Sequence, residues 1–151
     1  MNEYINHLLQ IRSDLRGHVQ EFSYQDNLDD IIKYAEGLDG PITLIGNSLG
    51  AGVAAEVAVE CDCIDTLVTL APVGSLTVDY GQIANSVSTW IDLRTSFGIA
   101  DFAALGLSGG SIGPWGYGPQ PYASTFINSP LGHAQFWPQM DAACGYDMHG
   151  C

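Results

Sequence analysis

The stretch Leu44–Val59, LIGNSLGAGVAAEVAV, changes its rule halfway along. It opens inside a continuous apolar run, PITLIG at 41–46, which reads as a short strand covered on both faces. From about Leu49 to Glu60 the chain reads instead as an alanine-rich helix. Between them lies Gly46-Asn47-Ser48-Leu49-Gly50, with one glycine two places before a serine and another two places after it. A serine hydroxyl becomes a nucleophile only when it is held clear of its surroundings and beside a base. A sharp strand-to-helix turn does this, and the spacing predicts that Gly46 and Gly50 are small because strand and helix cross tightly there. The same turn carries the Leu49 N–H to the start of the helix, where it and the helix dipole can stabilise an oxyanion.

On the N-terminal side, the apolar residues of 3–15 recur at helical spacing and Gly17 supplies a stop. HVQEFSY (18–24) alternates as a short strand does. DNLDDIIKYAEGLDG predicts a helix capped by Asp26 or Asn27 and ended by Gly37 or Gly40. On the C-terminal side, IDTLVTLAPV (64–73) is a second buried strand, VSTWIDLRT (87–95) a third, and YASTFIN (122–128) a last one. The Gly- and Pro-rich segment 107–121 reads as a surface loop over the site, and AQFWPQMDAA as a final helix broken or opened by Pro138. Strands alternating with helices give an α/β fold: a three-layer α/β/α sandwich on a mostly parallel sheet of about five strands. Right-handed crossovers then put every strand's carboxyl end on one rim. Ser48, Asp101 and His133 each follow such an end.

Length and composition bound the function. At 151 residues the chain is read as a single domain, 1–151, and 46% hydrophobic against 14% charged residues argues for a packed core. Seventeen acids against four bases (Arg12, Arg16, Lys33 and Arg94) leave a net charge of −13. That excludes a nucleic-acid footprint and attraction to anionic membranes. No apolar run is long enough for a signal peptide or a membrane span, so a cytoplasmic protein is expected. In that setting Cys61, Cys63, Cys144 and Cys151 are expected to be free thiols. Together with His149 they match no common zinc spacing, and no metal is expected.

Gly46-Asn47-Ser48-Leu49-Gly50, with its preceding strand and following helix, resembles the G-x-S-x-G nucleophile elbow of the α/β-hydrolases. The likeness extends over residues 26–73 and thins beyond them. SDLRGH (13–18) is similar to a stretch found in larger members, but it falls where a helix end is read. The resemblance implies a serine hydrolase acting on an ester or thioester with no cofactor. It also implies a triad in the order Ser, acid, His, which here would be Ser48, Asp101 and His133 with the Leu49 N–H in the oxyanion hole. The chain departs from the family in having one predicted strand before the elbow strand and no HGGG-like segment to donate a second oxyanion N–H. Completion of the sheet or the site by a partner subunit, a homo-oligomer, follows as an open reading.

Each assignment has a plainer competitor. Ser48 could be a helix N-cap. Asp101 could cap a helix, and Asp92 rivals it as the acid but lies inside a predicted strand. His133 could be an ordinary loop histidine; His7 and His18 precede the elbow and His149 sits in the tail. Gly50-Ala51-Gly52-Val53-Ala54-Ala55 fits a dinucleotide fingerprint, yet Gly46 already ends the strand and no acid closes the next one. A hydrolase fold without chemistry, used as a binding module, is the alternative from another class. Trp90, Trp115, Trp137, Tyr117 and Tyr122 serve either as pocket lining or as core and loop anchors.

Overall fold

In a computed structural model of the chain, residues 3–96, 114–115, 117–145 and 150–151 are described. Four strands, β1 (Thr43–Asn47), β2 (Thr66–Leu70), β3 (Thr89–Ser96) and β4 (Thr125–Gly132), form a sheet in the order β1-β2-β3-β4. Every neighbouring pair is parallel. Five α-helices accompany them among the described residues: α1 (Glu3–Ile11), α2 (Leu28–Glu36), α3 (Leu49–Cys61), α4 (Tyr80–Ser86) and α5 (Phe136–Cys144).

Strand alternation sorts the core into two layers. Leu67 and Trp90 face one side, where Ala51, Ala54, Ala55 and Ala58 of α3 pack with Ile31 and Ala35 of α2 and Ile83 of α4. Val68, Leu70, Ile91 and Leu93 face the other side, against Met140 and Cys144 of α5. On that second face His7 of α1 packs at a tilt against Trp137, ring centroids 4.5 Å apart. The three-layer α/β/α reading therefore stands. Alanine on the inner side of α3 lets the helix lie close to β1 and β2, and four of these alanines are at most 4% exposed.

Several expectations need correction. Residues 18–24 form no strand; Phe22 packs on the core edge-to-face with Tyr34, and Ser23 turns by donating its N–H to Asp26. The described sheet thus has four strands, not five, with β1 at one edge. Helix α4 falls between the second and third predicted strands, where the sequence predicts no element, although Asp79 and Gln82 form a complete capping box at its start. Of the two effects expected of Pro138, breaking or opening the last helix, the second fits: it falls in the first turn of α5, where a missing N–H removes no intrahelical bond.

The cysteines are paired rather than free, as Cys61–Cys63 and Cys144–Cys151. Asp62 ends α3 in the left-handed conformation at φ 50° and brings the Cα atoms of Cys61 and Cys63 to 5.1 Å. The Gly150 N–H donates to the Cys144 carbonyl at 2.8 Å, returning Cys151 to the end of α5. No helix among the described residues is long and apolar enough to cross a membrane.

Candidate active site

β1 ends at Asn47 and α3 begins at Leu49, so a single residue makes the turn. That residue, Ser48, has φ 57° and ψ −122°, a conformation that glycine accepts and other residues avoid. Backbone bonds on both sides hold it: the Ser48 N–H donates to the Leu70 carbonyl of β2 at 2.9 Å, and the Ser48 carbonyl accepts from the Ala51 N–H in the first turn of α3 at 3.2 Å. Ser48 stands at the N-cap position of α3, but its hydroxyl makes no capping bond to the helix. Gly46 is small for the expected reason. A Cβ there would lie 2.5 Å from the Gly50 carbonyl oxygen, 2.6 Å from the Ala51 Cα and 2.8 Å from the Ala54 Cβ. For Gly50 the expectation is corrected, since a Cβ added there meets nothing within 4 Å among the described residues.

His133 follows β4 directly, and its Nε2 lies 2.9 Å from the Ser48 Oγ across 85 residues of sequence. With Nε2 unprotonated, the hydroxyl donates to it. Leu49 opens α3, and first-turn N–H groups have no intrahelical partner. The structure thus brings together Ser48, Leu49 and His133, while Asp101 lies outside the described residues.

Asp92 is fully buried inside β3, level in register with Thr69 and on the Trp90 side of the sheet. Its Oδ1 accepts from the Thr69 hydroxyl at 2.5 Å, and Thr69 Oγ1 in turn accepts from the Trp90 indole N–H at 3.0 Å. Oδ2 has no hydrogen-bond partner among the described residues. Burial pushes the carboxyl up to about 7, against the Thr69 bond, which lowers it. Burial also raises the Tyr80 phenol, and the Asp92 charge adds to the rise. Asp92 therefore makes no hydrogen bond to His133, and its neighbours are the stacked Tyr80 and Trp90. The tryptophans go to packing: Trp115 is buried beside Tyr80, and Trp137 sits between His7 and Phe136.

Two residues escaped the sequence reading. Gln139, on α5 and fully buried, donates from Nε2 to the carbonyls of Gly132 at 2.8 Å and His133 at 2.9 Å. Its Oε1 accepts from the Asn47 side chain at 3.4 Å, and Asn47 also donates to the Leu70 carbonyl at 3.2 Å. One buried amide therefore joins the residue before Ser48 to the backbone that carries His133. A glutamine in a helix gives no sign of this in sequence, because its partners come from β1 and the end of β4.

Over residues 11–148 the chain matches the alpha/beta hydrolase family. It belongs to that family. Compared with curated proteins and with solved structures, the chain shows no match. The family is one of generally hydrolytic enzymes, and the parallel sheet with helices on both faces fits a minimal α/β-hydrolase fold.

Proposed function

We propose that this α/β-hydrolase family member is a serine hydrolase that cleaves an ester or thioester through an acyl-enzyme. The observation that carries the reading is the 2.9 Å contact between His133 Nε2 and Ser48 Oγ at a turn of strained backbone. His133 takes the hydroxyl proton as Ser48 Oγ attacks the carbonyl carbon, and the Leu49 N–H helps hold the oxyanion. The tetrahedral intermediate collapses with loss of the alcohol or thiol, to which His133 returns the proton. Water, deprotonated by His133, then attacks the acyl-enzyme and releases the acid and Ser48. Asp101 is the proposed acid that orients the imidazole, since the buried Asp92 is committed to Thr69. The two disulfides favour an oxidising compartment over the cytoplasm expected from the sequence.

The test is incubation with a fluorophosphonate probe and intact mass spectrometry. Wild type should gain one probe mass, and both Ser48→Ala and His133→Ala should abolish the gain. Folded wild type that stays unlabelled would refute the hydrolase and leave a binding module.

A further inference from the structure

Helix α3 presents Leu49, Gly52, Val53 and Glu56 at intervals of three and four residues, so they lie along one face. Together with the 73–75 segment after β2 they line a cavity of about 240 Å³. The lining begins at Leu49, the residue after Ser48, and Val73 on its other wall donates its N–H to the Ser48 backbone carbonyl at 3.4 Å. Gly52 keeps the middle open: among the described residues a Cβ there meets only the Ser75 carbonyl oxygen, at 4.0 Å. Leu49, Val53 and Val73 make the near part apolar. The far end is Glu56, whose Oε1 accepts from the Thr77 hydroxyl at 2.6 Å and which has no basic partner among the described residues.

The length of the lining sets the size of the occupant. Leu49 and Glu56 are seven residues apart, roughly 10.5 Å along a helix. An extended chain advances roughly 1.3 Å per bond, taking the 3.8 Å Cα spacing over three bonds, so about eight bonds span that length. The side of the sheet matters too. His133 is held by Gln139 of α5 on one face, and the leaving group must sit by His133 to take its proton. The cavity lies along α3 on the opposite face, the side left for the group that stays on Ser48.

We propose that this cavity is the acyl subsite, and that it takes a straight acyl chain of about eight atoms ending in an ammonium group that pairs with Glu56. The inference rests on the serine hydrolase reading, and two arms of one experiment separate their failures. The first arm titrates octylammonium and octanol into the labelled full chain at low salt and follows amide shifts by NMR. Octylammonium should shift Gly52, Val53, Gly74 and Ser75, and Glu56→Gln should narrow its preference over octanol roughly tenfold. Shifts elsewhere, or a preference that Glu56→Gln leaves as it was, would overturn the subsite. The second arm compares kcat/KM for the 4-nitrophenyl esters of acetate, octanoate and 8-aminooctanoate. Wild type should prefer the 8-aminooctanoate ester to octanoate, and Glu56→Gln should reverse that order. Turnover of the acetate ester with no such preference overturns the acyl assignment while the hydrolase stands. Octylammonium binding with no ester turned over overturns the hydrolase, and the acyl role with it.

Discussion

Replacing Asp92 by Asn removes a fully buried carboxyl that burial pushes from its ordinary 3.8 up to about 7. The sign of the effect follows from the two pKa values. Below pH ~4 the carboxyl is protonated in both folded and unfolded chains, and folding carries no penalty from it. Between ~4 and ~7 the unfolded chain ionises while the folded chain keeps its proton, so stability falls as pH rises. Above ~7 the loss levels off at about 4 kcal/mol, a shift of roughly three units at 1.36 kcal/mol each. The full exclusion of solvent leaves no screening to discount it. Part of this loss, about 1.5 kcal/mol, is already present at pH 5, so about 2–3 kcal/mol remains to develop between pH 5 and pH 8.5. Asn cannot ionise, although its amide group in place of the unpartnered Oδ2 costs about 1–3 kcal/mol at every pH. Urea unfolding of wild type and Asp92→Asn at the two pH values isolates the titration, because the self-repulsion of a −13 chain acts on both proteins. The stability difference should move in favour of the variant by about 2–3 kcal/mol between pH 5 and pH 8.5. A difference equal at both pH values would show that the folded carboxyl does not titrate near 7, and the reasoning would fall.

The two glycines of the Ser48 turn should part company. Gly46→Ala drives a Cβ into the Gly50 backbone and should cost about 3 kcal/mol or more in thermal or urea unfolding. Gly50→Ala has room, sits in a helix, and should leave stability unchanged or raise it by up to about 1 kcal/mol. Gln139→Leu leaves the Gly132 and His133 carbonyls without their donor, and should cost about 2–4 kcal/mol of stability. By displacing His133 it should also slow fluorophosphonate labelling of the still-folded protein about 100-fold. Breaking Cys144–Cys151 by changing both cysteines to Ser releases a loop closed over a separation of seven residues, worth about 2.5 kcal/mol by loop entropy. Chemical denaturation under non-reducing conditions checks it.

What could be read in the sequence, and what could not, divides by the range of the interactions. α3, β2 and β3 are built from runs whose burial follows from composition, and a covered parallel strand needs no partner identified to be recognised; β1, read from an equally apolar run as covered on both faces, lies at the sheet edge and is only partly buried. The Ser48 turn was legible because its cause is local, a strand and a helix meeting at one residue, with Gly46 reporting their crossing. Gly50 shows the limit of that logic, since its symmetric place around Ser48 suggested a constraint that the packing does not impose. Residues 18–24 alternate as a strand should, but alternation specifies a face and not a neighbour, and Phe22 finds Tyr34 instead. The cysteine pairs turned on Asp62 adopting φ 50° and on Gly150 returning to Cys144, conformations that no spacing rule encodes. His133 could be nominated by its place after a strand, yet nothing in the sequence links it to Asn47. That link passes through Gln139, a polar residue buried in a helix 92 positions away. The parts of the site that do chemistry are thus visible as motifs. The parts that hold them in place become visible only once β1, β4 and α5 are brought together.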